Sequence, residues 1–260
     1  MTAYFMLHDV PVADEGTHLH CTLIAAATQD APRPGVMIFP DLWGVGRQSF
    51  EWGRRLVEEG YVALCVDMFG NATQAESLEH GLRLFGEVTQ DRELWQRRAR
   101  RLFDAFRARP ETQGCEIAAI GFCFGGSSAL HLACTGAQLA GAVCLHGDIP
   151  RISGEEAKAI SASLLVCNGA ADPVVPNEQA LTLAQDLKGS GVDWQMLLLG
   201  ETGHSFTNPD AARADMPGVA FDPRAEQRAW EASRAFLKEI FAESADGAVI
   251  ARALTEEVQA

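Results

Sequence analysis

The sequence predicts an α/β fold, a mostly parallel, twisted sheet with helices on both faces. Short apolar runs of strand length recur along the chain, and the stretches between them carry apolar residues at helical spacing. Strands that alternate with helices are joined by right-handed crossovers, which make neighbouring strands parallel. The predicted strands are GVMIF (35–39), YVALCVDMF (61–69), CEIAAIGF (115–122), AGAVCLHG (140–147), ASLLVCNG (162–169) and DWQMLLLG (193–200).

The remaining segments complete this architecture. Residues 3–27 alternate loosely between apolar and polar types, which predicts an N-terminal antiparallel hairpin. Helical faces recur at 95–106, at 180–187 and at 229–240. Residues 70–92 interrupt the rhythm, and such a long connection is either a lid or binding loop, or a solvated excursion. No linker divides the chain, so we expect residues 1–260 to form a single domain.

Composition excludes several classes of function. The 260 residues carry a formal net charge of −14, whereas nucleic acids and acidic membrane surfaces attract clustered Lys and Arg. The N-terminal stretch MTAYFMLHDV lacks the basic region of a signal peptide, and the seven cysteines form no C-x-x-C pair. We therefore expect a cytoplasmic protein with neither nucleic-acid nor membrane partners.

One cysteine lies at an unusual turn. In AAIGFCFGGSSALHLA (118–133), a strand-like run passes into a helix of small residues, and Cys123 lies at the corner, with Gly121 before it and Gly125 and Gly126 after it. A nucleophile on such a strained turn stands clear of the sheet and tolerates only small neighbours. The N-terminus of the following helix favours the thiolate and supplies amides for an oxyanion. The alternative is a structural cysteine in a glycine-rich turn.

Partners for a nucleophile follow in the expected order. Asp172 ends the strand in LLVCNGAADPVVP, and His204 follows the strand in MLLLGETGHSF. An acid and then a histidine after later strands complete the triad of a nucleophile elbow. His204 would move the thiol proton, and Asp172 would orient its ring. Either residue alone is a weak signal, because Asp before Pro is a common turn former.

An oxyanion hole requires two backbone N–H groups. One comes from the residue after the nucleophile, Phe124. The loop PDLWGVG after the GVMIF strand offers the second, and Leu42 N–H is the candidate. The sequence shows no cluster of His, Cys and carboxylates at ligand spacing, and His18 with His20 forms a pattern typical of a surface strand. We therefore predict no metal.

These motifs resemble the dienelactone hydrolases (carboxymethylenebutenolidases), enzymes of the α/β-hydrolase fold. The resemblance rests on the cysteine elbow, GAADPVVP, GHSF and PDLWGV, and runs from about GVMIF to the C-terminal helix FDPRAEQRAWEASRAFLKEIF. It implies a carboxylic ester hydrolase that opens an enol-lactone through an acyl-cysteine intermediate, without metal or cofactor. The substrate is then a small ester or lactone.

The chain departs from that family pattern at two places. The resemblance implies a Glu in the early loop that contacts the thiol, and Asp41 stands there. It also implies arginines that hold a substrate carboxylate, and Asn208 stands in place of one, with Arg83 a candidate for another. We therefore predict that neutral esters or lactones are turned over at least as well as the anionic lactone. The other candidates for substrate contact are Trp43, Ser205 and Phe206.

Three other functions compete with a thiol-based lactone hydrolase. A broad-specificity carboxylesterase or thioesterase would differ only in its pocket. A non-catalytic α/β-hydrolase fold that binds a ligand would have no need of Cys123, Asp172 and His204 in order. A redox sensor would use the cysteine but not the other two. The sequence is compatible with a monomer or a small homo-oligomer.

Overall fold

The computed structural model describes residues 5–258, with side chains described for residues 5–242. Its centre is a sheet of eight strands in the order β1-β2-β4-β3-β5-β6-β7-β8. The predicted fold class is confirmed, and the six predicted parallel strands all form. The strands are β1 (Phe5–Asp14), β2 (Thr17–Ala26), β3 (Gly35–Phe39), β4 (Val62–Cys65), β5 (Ile117–Phe122), β6 (Gly141–Leu145), β7 (Ser163–Gly169) and β8 (Trp194–Leu199).

Strand direction changes only at one end of the sheet. β1 and β2 form an antiparallel hairpin, and β2 is antiparallel to β4. From β4 to β8 every pairing is parallel. Residues 3 and 4, where the hairpin is predicted to begin, lie outside the described residues. The carboxyl ends of β3 and β5 to β8 therefore meet at one edge, which is where open α/β sheets place their sites.

Helices cover both faces of the sheet. Two buried clusters lie on opposite faces, one including residues of α3, α4 and α6, the other including residues of α1 and α7. β3 to β7 are nearly continuous buried runs because both faces are covered. The helices are α1 (Arg47–Glu58), α2 (Leu78–Thr89), α3 (Arg92–Arg107), α4 (Phe124–Cys134), α5 (Gly154–Ala159), α6 (Glu178–Asp186) and α7 (Pro223–Val258).

Much of the predicted connection at 70–92 is helical. Ser77 caps α2 by accepting a hydrogen bond from the amide of His80, and Leu84 and Val88 are buried one turn apart. Gly81 lets α2 approach the loop after β3, because a Cβ there would lie 2.3 Å from Leu42 Cδ1. A structured helix, rather than a long irregular loop, thus packs against the early loop. A lid or binding-loop role for residues 70–92 stays one of the two alternatives that the sequence leaves open.

Candidate active site

Cys123 lies in a strained turn between β5 and α4. Its φ angle is +51° and ψ is −117°, a conformation that residues with a side chain rarely adopt. A Cβ on Gly121 would lie 1.9 Å from the Gly125 carbonyl oxygen, and a Cβ on Gly125 would lie 2.1 Å from the Phe39 carbonyl oxygen. Only glycine fits at these two positions, which explains the glycines around the thiol.

The two amides predicted to bind an oxyanion are those of Phe124 and Leu42. Cys123 is the N-cap of α4, so the amide of Phe124 lies in the first turn of that helix. Within the described residues, neither this amide nor that of Leu42 donates a hydrogen bond. Unpaired amides at a helix N-terminus favour developing negative charge.

The structure brings Cys123, His204 and Asp172 into one hydrogen-bonded chain. Cys123 Sγ lies 3.2 Å from His204 Nε2, and His204 Nδ1 lies 2.8 Å from Asp172 Oδ2. The other carboxylate oxygen, Asp172 Oδ1, accepts hydrogen bonds from the amides of Val174 and Val175, at 2.7 and 2.9 Å. The two backbone amides therefore hold the Asp172 carboxylate in place, and the carboxylate orients the imidazole of His204.

The charges around His204 favour its protonated form. Burial acts to lower the pKa of His204, but the Cys123 sulfur and the Asp172 carboxylate outweigh it and raise the pKa to about 10. The Asp172 side chain is fully buried and the His204 side chain is 5% exposed. Such a ring is equipped to hold a proton next to the thiol sulfur.

Asp41, the candidate for contact with the thiol, is held by two hydrogen bonds. Its Oδ1 accepts from the amide of Trp43 at 2.9 Å, and its Oδ2 accepts from Asn208 Nδ2 at 2.7 Å. Both oxygens thus accept hydrogen bonds from groups other than the Cys123 thiol. Burial raises the pKa of Asp41 to about 6, although these two hydrogen bonds and the nearby His204 act to lower it.

Asn208 is part of this buried link and is not a free substrate anchor. Besides donating to Asp41, it accepts from the amide of Asp210 at 2.8 Å, and it is only 5% exposed. Arg83, the other candidate, forms an exposed ion pair with Glu87 on α2. Asn208 is thus hydrogen-bonded to Asp41 and Asp210, and Arg83 is paired with Glu87.

Sequence reasoning missed Arg213. Its guanidinium lies 4.3 Å from the centroid of the Trp43 ring and donates to the Ala75 carbonyl oxygen at 3.2 Å. Arg213, Trp43, Asp41 and Arg47 all line a small cavity of about 50 Å³. Arginine on a short 3₁₀ turn (Ala211–Ala214), far along the chain from Trp43, carries no local signal of this contact.

The residues after His204 are more deeply placed than expected. Ser205 has a φ angle of +56° and is nearly buried. Phe206 is fully buried, and its ring packs against His146 with centroids 4.9 Å apart. The prediction that Phe206 contacts substrate does not fit this position, because the turn at Ser205 directs the next ring into the core.

The described residues show no metal centre and no spanning helix. Within them, no three His, Cys, Asp or Glu side chains lie close enough together to hold a metal ion. None of the helices described is both long and apolar enough to cross a bilayer. All seven cysteines are free. The arrangement offers thiol, imidazole, carboxylate and amide chemistry.

Comparison with known proteins assigns the chain to a family. The sequence profile of the Dienelactone hydrolase family matches residues 22–241. The chain belongs to the dienelactone hydrolase family. A Yersinia pestis protein whose name marks it as a candidate carboxymethylenebutenolidase is 23% identical over 209 residues, covering 76% of this chain and 78% of that protein. Membership makes this protein a carboxylic ester hydrolase that acts on an ester or lactone.

Solved structures of the family agree with the fold. A dienelactone hydrolase-like promiscuous phosphotriesterase from metagenomic libraries is 38% identical, with a TM-score of 0.87, covering 91% of this chain and 99% of that one. A dienelactone hydrolase from Anabaena variabilis is 16% identical, with a TM-score of 0.65, covering 90% and 98%, and shows likeness of fold alone.

Proposed function

We propose that this dienelactone hydrolase relative cleaves esters or lactones with Cys123 as its nucleophile, His204 as acid and base, and Asp172 as the residue that orients His204. The observation that carries the proposal is the chain of contacts from Cys123 Sγ through the imidazole to Asp172, 3.2 and 2.8 Å long. The raised pKa of His204 supports the same roles, because a strongly basic imidazole readily takes up the thiol proton.

In the first half-reaction the thiol proton passes to His204 and the sulfur attacks the carbonyl carbon. The carbonyl oxygen becomes an oxyanion, for which the amides of Phe124 and Leu42 are the proposed donors. Collapse of this intermediate breaks the bond to the alkoxy oxygen, which receives the proton from His204. The products are an acyl-cysteine and an alcohol, which in a lactone stays attached to the acyl chain.

The second half-reaction restores the enzyme. A water molecule gives a proton to His204 and its oxygen attacks the acyl carbon of the thioester. When the tetrahedral intermediate collapses, the carbon–sulfur bond breaks and the proton returns to the sulfur of Cys123. Asp172, held by two backbone amides, keeps the ring in the same orientation throughout.

The proposal is tested with p-nitrophenyl acetate and a lactone. Cys123→Ala and His204→Ala should each lower kcat by at least about 10³-fold, and the double variant should be little slower than either, since the two residues act as one unit. Unchanged circular dichroism spectra provide the control for folding. If Cys123→Ala keeps substantial activity, or if the two losses multiply, the proposed nucleophile is wrong.

The substrate is proposed to be neutral. Asn208 is held by Asp41 and Asp210, so the position that the family resemblance gives to an arginine offers no cation. The structure adds one cation beside Trp43, the exposed Arg213, whose guanidinium lies 4.3 Å from the centroid of that ring. The phosphotriesterase named above is also a reason to include a neutral phosphotriester in the panel.

The experiment compares wild type and Arg213→Gln on a neutral ester, a phosphotriester and an anionic dienelactone. We expect wild type to favour the neutral ester or lactone. Arg213→Gln should keep kcat/KM for that neutral substrate within about twofold of wild type, because an exposed charge contributes little to binding. If wild type prefers the anionic lactone and Arg213→Gln loses that preference, Arg213 holds a substrate carboxylate and the neutral-substrate proposal fails. A preference that persists in the variant also contradicts it.

A further inference from the structure

A second histidine, His146, lies against the catalytic one. It follows β6 directly, and its amide donates to the Cys167 carbonyl oxygen at 2.8 Å. The residue is fully buried and has a φ angle of +41°. Its ring centroid is 5.2 Å from that of His204, with an angle of 70° between the ring planes, and 4.9 Å from that of Phe206. Neither the family motifs nor the proposed mechanism uses this side chain.

A hydrogen-bonded chain holds the outer edge of the His146 ring. His146 Nε2 lies 2.7 Å from Thr207 Oγ1, and Gln48 Nε2 donates to the same oxygen at 2.6 Å. Because the Gln48 amide supplies one hydrogen to that oxygen, the Thr207 hydroxyl hydrogen is available to His146 Nε2. Gln48 and Thr207 are 6% and 1% exposed, so the chain is shielded from water.

The surroundings keep this ring uncharged. Burial lowers the pKa of His146 well below its usual value, and the neighbouring His204 lowers it further. No carboxylate is hydrogen-bonded to His146 among the residues described, whereas His204 is hydrogen-bonded to Asp172. Two adjacent imidazoles thus have opposite tendencies, one towards the cation and the other towards the neutral ring.

The conformation and burial of His146 are unfavourable for the stability of the fold. A non-glycine residue at positive φ strains the backbone, and a buried polar ring needs hydrogen bonds. Among the described residues, His146 Nδ1 has no hydrogen-bond partner. An apolar residue would fill the same core position without leaving a polar atom unpaired. Strain and an incompletely paired polar ring next to a catalytic group are typical of a functional constraint.

We propose that His146 is a positioning residue, an uncharged ring that Thr207 and Gln48 hold in place and that keeps the imidazole of His204 aimed at the Cys123 sulfur. This inference rests on the proposed catalytic role of Cys123 and His204. Asp172 anchors His204 at Nδ1, and a single hydrogen bond at that atom does not by itself fix the plane of the ring. A rigid neighbour packed against the ring restricts that rotation.

The test removes the hydrogen bond while keeping the volume. Thr207→Val deletes the hydroxyl, Thr207→Ser retains it, and His146→Phe keeps an aromatic ring without Nε2. The matched control is His131→Phe: His131 is also buried, with a lowered pKa of about 4 caused by burial, an unpaired Nδ1 among the described residues, and a ring contact, to Trp95 at 4.1 Å.

Each variant is assayed for kcat and KM on p-nitrophenyl acetate, for the rate at which iodoacetamide alkylates Cys123, and for thermal melting. We expect Thr207→Val and His146→Phe to lower kcat about tenfold to a hundredfold with KM changed less than about threefold, as small misalignments do. Alkylation should slow in parallel, since the imidazole is no longer aligned to accept the thiol proton. Thr207→Ser and His131→Phe should keep wild-type kcat.

Three results would overturn the inference. One is a wild-type kcat in both Thr207→Val and His146→Phe. Another is an equal loss of kcat in His131→Phe, which would indicate a general effect of core substitution. The third is a loss in Thr207→Ser as large as in Thr207→Val. If Cys123→Ala or His204→Ala retains activity, the proposed function fails instead, so the two failures are distinguishable.

Discussion

The buried carboxylate of Asp41 makes a measurable prediction about stability. Burial raises its pKa from 3.8 to about 6, against the opposing effect of hydrogen bonds from Trp43 and Asn208. An acid whose pKa is raised binds its proton more tightly in the folded chain than in the unfolded one. Ionisation therefore favours unfolding, and the stability associated with Asp41 is lost as the pH rises from below about 3.8 to above about 6.

The substitution Asp41→Asn removes this titration. From the two pKa values, the free energy of unfolding of Asp41→Asn relative to wild type should increase by about 2 kcal/mol between about pH 4.5 and about pH 7.5. The side-chain amide introduced by Asp41→Asn also disturbs the hydrogen bond from Asn208. Because that amide does not titrate, the disturbance changes the stability difference between variant and wild type by the same amount at every pH. The pH dependence of the difference is thus the informative quantity.

The assay is urea unfolding followed by tryptophan fluorescence at several pH values. Glu59→Gln is the control: a hydrogen bond from Lys238 lowers the pKa of Glu59, so its stabilising effect is present above its unfolded pKa and is lost as the pH falls. Relative to wild type, that variant should become less stable as pH rises, the opposite slope. A flat or falling difference for Asp41→Asn would refute the reasoning.

Further predictions concern the reacting groups. Brief iodoacetamide treatment should alkylate Cys123 before the other six cysteines, because burial raises the pKa values of those six thiols. Peptide mass mapping that finds another cysteine alkylated first, with activity intact, contradicts this expectation. Asp172→Asn should lower kcat less than His204→Ala, because the imidazole stays in place; an equal or larger loss speaks against a purely orienting role. Prolonged EDTA treatment should leave activity unchanged, whereas a loss restored by zinc refutes a metal-free mechanism.

The residues of the candidate triad could be predicted because their signals are local. Gly121 and Gly125 are required by backbone crowding within the elbow itself, and Asp172 is held by amides two and three residues further on. The order of strands then brings distant segments together, since the carboxyl ends of parallel strands share an edge. Reading the sequence for each turn was therefore enough to place Cys123, Asp172 and His204 near one another.

Other features depend on packing between segments that are far apart. Asp41 and Asn208 are 167 residues apart, and Gln48 and Thr207 are 159 apart, so nothing in either local sequence indicates the hydrogen bonds they form. The helix α2 was missed for a different reason. Two glycines interrupt its sequence and only Leu84 and Val88 of its apolar residues are buried, so the helix is marked chiefly by the cap at Ser77.

The two histidines show why charge at this site follows from environment and not from residue type. Both His146 and His204 come soon after a strand, and only His204 follows Asp172 in the order that a nucleophile elbow requires. In the folded chain their ring centroids are 5.2 Å apart, and their pKa values move in opposite directions. His204 gains a carboxylate and a sulfur as neighbours, while His146 gains a hydroxyl and the core. Because a second cation at that distance would oppose protonation of the first, a neutral His146 leaves His204 free to carry the proton.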